Sequence, residues 1–380
     1  MDPFDLLPPE LINHIISFTA DFVGIESLLT ISPRVSAVFY DRPGRSFQAL
    51  LDTNSISSES AVQLMIQDVW LLHSSPFDKY LKCTDRADGE PNTDTRARAR
   101  AHDAVVPKMM QISAQIQRLS CLCLSTMRQN FVNAVGRSTA GPSAGSVLAQ
   151  KAARDFSWVE EANVSWALWH LRHYSDLNSR GSRENWPAGS AERFAGYRAR
   201  HSLNVLHVEV ISLISAILQD LGLSPIYSYA GLQEGEESTE PTWTYPIETP
   251  LPHLESFQVE KDIQISVWHP PPKPQISSVT IAWCLGPDFC GRSFSYMQMY
   301  KMWTRQYSPS ITDPRVHVGK IQLYRRLGIF IWDRWRMFSI GLIPSGSPHR
   351  IETPDGDFTE VPQSYIQWQP RWLALVQPQV

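Results

Sequence analysis

At 380 residues the chain has room for a small module and one or two larger domains. Hydrophobic content of 43% against 19% charge is the balance of a folded chain, which excludes a disordered one. A net charge of −4 gives no electrostatic reason to expect nucleic acid or an anionic membrane as a partner.

The most informative stretch comes first. Pro8 and Pro9 favour a helix start, because a proline at the first helical position gives up a donor that would be unpaired anyway. Leu11, Ile12, Ile15, Ile16 and Phe18 then recur at helical spacing, with Glu10, Asn13, His14 and Ser17 between them. Thr19-Ala20-Asp21 closes the run, and Ile25, Leu28, Leu29 and Ile31 make a second short stripe. Ser32-Pro33 is a helix start, with a capping hydroxyl followed by a proline that fits just inside. Val35, Val38 and Phe39 form the apolar edge of a third helix, which Pro43 and Gly44 weaken or end. The spacing thus predicts helices over Pro9–Thr19, Ile25–Ile31 and Pro33–Tyr40, packed together. They are more apolar than a free-standing module of that size can hide, which points to a surface covered by another protein.

The ordered motif Leu7-Pro8-Pro9-Glu10-Leu11, then Ile15-Ile16-Ser17-Phe18, then Ser27-Leu28-Leu29…Ser32-Pro33-Arg34-Val35…Phe39 resembles the F-box, in the form common among filamentous fungi. The match runs from Phe4 to Leu51. The resemblance implies docking onto a Skp-type adaptor and, through it, a cullin-RING scaffold, while the rest of the chain holds an unknown protein substrate for ubiquitin transfer. On the matching positions, the adaptor-facing residues are Leu7, Pro8, Leu11, Ile15, Ile16, Leu28, Leu29, Val35 and Phe39. A chain of this kind performs no bond chemistry itself.

Beyond Leu51, Ser57 to His73 is predicted as a capped helix with Val62, Met65, Ile66, Val69 and Trp70 on one face. Residues 84–103, with Arg96, Arg98 and Arg100, are polar and charged and read as a loop or a solvated helix start. Met109 to Val135 is strongly helical, with Met109, Ile112, Ile116, Leu119, Cys123 and Met127 at three- and four-residue steps. Gly, Ser and Pro over residues 136–147 suggest a linker. Ser157-Trp158-Val159-Glu160 matches a capping box and opens a helix whose Trp158, Ala162, Trp166, Trp169 and His173 share a face. Residues 176–190 read as loop, and Ser202 to Leu221 as another helix, stopped by Gly222.

The character changes after Pro225. Residues 233–254 are acidic and proline-bearing and suggest a second linker. Ile263–Trp268 alternates like a strand, and Val279–Cys284 is a second candidate. Pro270-Pro271-Pro272-Lys273-Pro274 reads as a loop or polyproline II turn, with an SH3- or WW-type ligand as the alternative. Tyr296–Gln306 and Gly319–Leu327 look helical, and Leu327–Trp335 is an apolar run into an Asp333 cap. Arg325-Arg326-Leu327-Gly328…Trp332-Asp333 resembles a C-terminal signature of the same fungal group. The expected fold is therefore mainly α: a three-helix module over 1–51, then a larger helical domain over 52–380 with a few C-terminal strands, α+β in class.

Catalytic and metal chemistry find little footing. Gly141-Pro142-Ser143-Ala144-Gly145 fits G-x-S-x-G, but that elbow needs a strand before it, and helix and linker precede it here. Cys121 and Cys123, two apart on a helix, point to different sides and cannot close a zinc site alone. His170 and His173 find no third ligand, and no phosphate-binding or dinucleotide-binding glycine pattern is present. No cofactor or metal is expected. Five cysteines without framework spacing suit a reducing compartment, and a Met-Asp-Pro start that lacks a basic flank and an apolar run gives no expectation of a secretory signal. The apolar run Val205–Leu223 carries His207, Glu209, Gln219 and Asp220, so it reads as a buried helix and not a membrane span. The expectation is an intracellular, cytoplasmic or nuclear, substrate receptor of an SCF-type (Skp-cullin-F-box) ubiquitin ligase. The alternatives are an F-box-like interaction protein that works without a cullin, and a serine hydrolase using Ser143.

Overall fold

The computed structural model describes residues 2–19, 21–74, 103–137, 142–183, 205–223, 266–273 and 323–342. These residues are mainly helical, and no strand occurs among them. In chain order the helices are α1 (Pro9–Thr19), α2 (Phe22–Ile31), α3 (Pro33–Asp41), α4 (Pro43–Thr53), α5 (Ser60–Ser74), α6 (Val106–Arg137), α7 (Pro142–Ala152), α8 (Trp158–Arg183), α9 (Val205–Asp220) and α10 (Arg334–Ser339). A 3-10 turn, Asp103–Val105, precedes α6. The chain forms two compact units, one of Met1–Leu122 with Ser165–Pro272, the other of Cys123–Val164 with Lys273–Val380.

In the first unit α1 spans the expected Pro9–Thr19, α3 runs one residue past the expected Tyr40, and α2 begins at Phe22, three residues before the expected Ile25. Asp21 caps α2 by accepting from the Val23 N–H at 3.1 Å. Gly24 makes room for that cap, since a Cβ there would meet Asp21 Oδ2 at 2.9 Å. Ser32 caps α3 by accepting from the Val35 N–H, with Pro33 at the first position. Asp2 buttresses that cap: its Oδ2 accepts from Ser32 Oγ at 2.6 Å and from the Arg34 N–H at 3.2 Å. α3 stops at Asp41, just before Pro43 as expected, and Pro43 also opens a further helix, α4, because proline suits a first helical turn as well as it disrupts an interior one. The module therefore has a fourth helix, which packs on α1 and α3 and buries Phe47, Leu50 and Leu51. Phe47 stands between Phe22 (6.2 Å) and Trp70 (5.1 Å), so the core runs on into α5, and residues 1–51 belong to a larger unit.

α5 starts slightly later than predicted and buries the expected face of Val62, Met65, Ile66, Val69 and Trp70. α6 buries all six residues of its predicted stripe. α9 ends in a Schellman turn: Gly222, at φ +69°, donates to Gln219 O at 2.9 Å, and the Leu223 N–H reaches Leu218 O at 2.7 Å. His73 Nε2 of α5 and Arg172 Nε of α8 lie 2.9 and 2.8 Å from the same oxygen of Asp176, also on α8. Burial alone would raise the Asp176 carboxyl, but His73 and Arg172 outweigh it and hold it below the ordinary range.

The second unit holds the predicted capping box: Ser157 N–H donates to Glu160 Oε2 at 2.9 Å, and Glu160 N–H to Ser157 Oγ at 3.4 Å. Three expectations are corrected. The 136–147 linker is shorter, because α6 runs to Arg137 and α7 begins at Pro142, another proline opening a helix. The break at 176–190 does not begin at 176, since α8 continues to Arg183. And α8 from Trp158 to His173 is buried all round, not on one stripe. Of the predicted strand Ile263–Trp268, the described part, Ser266–Trp268, has no regular structure. Residues 84–102, 233–254, 279–284 and 296–306 lie outside the described residues, as do residues 319–322 of the last predicted helix, which is helical over 323–326.

Candidate functional site

The residues singled out for docking divide by burial. α1 carries two apolar stripes. Ile12 and Ile16, four apart, point inward and are buried. Leu11, Ile15 and Phe18 recur at i, i+4 and i+7 on a face about 100° away, the angle between neighbouring helical residues. That face is left in water: Leu11 is 50% and Phe18 73% exposed, with Ile15 half-buried. Just before the helix, Leu6 is 95% exposed, Pro8 exposed and Leu7 half-buried. On α2, Leu28 and Leu29 are half-buried and Ile31 is 68% exposed.

Three predicted contact residues belong elsewhere. Ile16, Val35 and Phe39 are buried and fill the core between the helices, so they support the face from behind and do not lie on it. A motif names positions but cannot say which apolar ones face inward. Leu6, Phe18, Ile31 and Tyr40 are exposed apolar or aromatic positions outside the predicted set. The spacing of Phe18, seven residues after Leu11, was the available signal. Its ring meets His14 edge-on at 4.4 Å.

The face is held from a distance. Gln117, buried on α6, accepts from the Phe22 and Val23 N–H groups at 3.0 and 3.3 Å, satisfying the first donors of α2. One residue on, Arg118 is ion-paired with Glu26 of α2. Neither link is visible in a local motif, because the partners are more than ninety residues apart.

The other candidates resolve differently. Ser143 lies in the first turn of α7 and not on a loop. No strand precedes it among the described residues, so the strand-turn-helix context of a nucleophile elbow is not formed there. Cys121 and Cys123 are buried thiols on α6, and His170 and His173 are buried on α8. Among the described residues no group of three or more His, Cys, Asp or Glu could hold a metal ion. No single described helix is long and apolar enough to cross a membrane; α2 and α3 together would be, but they meet at 116°.

The densest polar cluster is in the second unit. Arg336, fully buried, uses all five of its N–H groups: Nε and Nη2 grip Glu160 at 2.8 and 2.7 Å, and the rest reach the carbonyls of Ala152, Arg154 and Asp155. Glu160 is equally occupied, accepting also from the Ser157 and Asp333 N–H groups. Asp333 caps α10 by accepting from the Arg336 N–H at 2.6 Å and pairs with Arg154. Burial, then the charge of Glu160, push the Asp333 carboxyl up, against the pull of Arg154. Burial would lower the Arg336 guanidinium, but Glu160, with Asp333 and Asp155, reverses that and raises it. Trp332 stacks on Phe131 at 5.5 Å, lies 4.9 Å beneath Arg336 and donates to Leu327 O at 2.7 Å. Gly328 (φ +69°) sits against it; a Cβ there would stand 2.9 Å from the indole and 3.0 Å from Met127 Cβ. With every donor and acceptor of the central pair taken inside the fold, this cluster is an architectural lock.

No known protein family, curated protein or solved structure matches the chain.

Proposed function

We propose that the chain is the substrate-recognition subunit of an SCF-type ubiquitin ligase. The outer face of α1 and the exposed end of α2 seat on a Skp-type adaptor, which links the chain to a cullin-RING scaffold. The remaining helices hold a protein substrate, and the chain carries out no bond chemistry of its own. In this reading it works in the cytoplasm or nucleus. The observation that carries it is the second apolar stripe of α1, with Leu11 and Phe18 exposed and Ile15 half-buried between them, while Ile12 and Ile16 already fill the core. An apolar stripe on a soluble module marks a covered surface, and this one falls on the residues of the F-box-like motif.

The test is titration of the purified full chain with a Skp-type adaptor by calorimetry. Saturable binding that is lost in Leu11→Asp/Ile15→Asp supports the reading, and a wild-type chain that does not bind the adaptor ends it. Adaptor binding without recruitment of a cullin from a reconstituted mixture would favour the runner-up, an interaction protein that works without a ligase. Labelling of Ser143 by a serine-reactive phosphonate would reopen the hydrolase alternative.

A further inference from the structure

The segment Ser266–Lys273, Ser-Val-Trp-His-Pro-Pro-Pro-Lys, is fastened to the first unit by its main chain. Trp268 O accepts from Gln117 Nε2 at 3.2 Å, and Pro271 O accepts from Ser55 Oγ at 2.8 Å. Pro270, between them, is buried, while Ser266, His269 and Pro272 are exposed. The two gripped carbonyls stand three residues apart. That is the repeat of a polyproline II helix, in which every third carbonyl faces the same side. Proline suits such a ligand twice over: it fixes φ near the required value, and it offers an acceptor without a donor. The surface beneath answers in kind with two side-chain donors. The amide orientation of Gln117 is set by its other end, because Oε1 must accept from Phe22 and Val23 N–H.

We propose that Ser55 and Gln117 form a binding seat for an extended, proline-bearing protein segment, filled here by the chain's own Trp268–Pro271. A proline-bearing segment of the protein substrate displaces this latch. The proposal rests on the substrate-receptor reading for its ligand. It places recognition beside the docking module, since Ser55 follows α4 and the Gln117 amide that grips Trp268 also caps α2. The internal ligand leaves no proline free at Pro270 for an SH3- or WW-type partner.

The latch is weakened in the full chain by Pro270→Gly/Pro271→Gly/Pro272→Gly, which keeps the gripped carbonyls but removes the buried Pro270 ring and the preset φ angles, so that a competing peptide can enter. A fluorescent peptide of the sequence of residues 266–273 is then titrated by anisotropy. It should bind this variant saturably, bind the wild-type chain at least about 10-fold more weakly because the seat is filled, and lose binding when its own prolines are replaced by alanine. Adding Ser55→Ala should weaken peptide binding about 2- to 10-fold, the worth of one neutral hydrogen bond. Absence of saturable binding to a triple-glycine chain with wild-type circular dichroism overturns the proposal, as does equal binding to both chains. Should the triple-glycine chain not fold, Gln117→Glu decides. It keeps the acceptor for Phe22 and Val23 but loses the donor to Trp268. Amide exchange should therefore rise over Ser266–His269 while the first turn of α2 stays protected; unchanged exchange in the segment overturns the seat. Adaptor binding, measured separately on wild type, tests the receptor reading alone, so the two failures are distinguishable.

Discussion

The α1 face and the Arg336 cluster reverse the usual placement of side chains. On α1, Leu11 and Phe18 stand in water; in the second unit, Arg336 and Glu160 stand in the core. The difference lies in what each group has to satisfy. A buried charge is tolerated only when its hydrogen-bonding capacity is met, and Arg336 and Glu160 meet it inside the fold. An exposed leucine has no such requirement, but an ordered stripe of them gains free energy only when something covers it. The buried pair is complete in itself and therefore structural. The α1 stripe is not complete in that sense, and the proposed adaptor docking is what would cover it.

The two regions should respond to substitution in opposite ways, most visibly on α1. Fully covering a large apolar side chain is worth about 1.5–3 kcal/mol. Leu11, 50% exposed, and Ile15, half-buried, already have part of that cover, so on the proposed reading Leu11→Asp/Ile15→Asp should forfeit about 1.5–3 kcal/mol of apolar cover in adaptor binding, and more where unpaired charges enter a dry interface. Calorimetry should show loss of binding while the melting temperature stays near that of wild type. Ile12→Ala, one residue along on the inward stripe, should do the opposite, lowering stability by about 2–5 kcal/mol in denaturant titration. If the aspartate pair instead unfolds the chain, the stripe is core and the contrast between the regions disappears.

The second response is in the buried lock. Arg336→Met strands Glu160 as an uncompensated buried charge and should cost about 3–5 kcal/mol, seen as an earlier chemical-denaturation midpoint. Arg336→Met/Glu160→Leu should recover most of that loss, because the pair is replaced and not merely halved. A double variant no better than the single would mean that the carbonyl contacts of Arg336, and not its pairing with Glu160, carry the effect.

A smaller loss is expected at Gly328. Alanine there needs a left-handed backbone and places a Cβ against Trp332 and Met127, so Gly328→Ala should cost about 1–3 kcal/mol by thermal melting. Gly222→Ala, at the same φ of +69° with open space around it, should cost less, which separates steric crowding from backbone strain.

The smallest effect is electrostatic. Because the folded carboxyl of Asp176 lies below its unfolded value, near 3.9, the group adds stability at higher pH. That contribution is lost as pH falls from about 4 through the lower folded value. In Asp176→Asn the acid limb of an unfolding titration should flatten over that range and stay parallel to wild type above about pH 5. An unchanged acid limb would show that the pairing with His73 and Arg172 does not bias folding.

The sequence alone settled whatever depends on near neighbours. Helical periodicity placed α1, α3 and α6, the capping chemistry of Ser32, of Ser157 with Glu160 and of Asp333 marked helix starts, and Gly222 marked a stop. Each is decided within a turn or two of backbone. The prolines were read in part: α3 stops before Pro43 as expected, but Pro43 and Pro142 also open helices, and whether a proline does so depends on whether the next turn finds packing partners, as Phe47 does between Phe22 and Trp70. The split of the apolar residues on α1 into Ile12 and Ile16 inside, Leu11 and Phe18 outside, needed the positions of α3 and α4. The grip of Gln117 on α2 and of Arg336 on Glu160 joins residues 95 and 176 positions apart. Local propensity is blind at that range, because a hydrogen bond is fixed by distance in space and only the packed helices bring those atoms within reach.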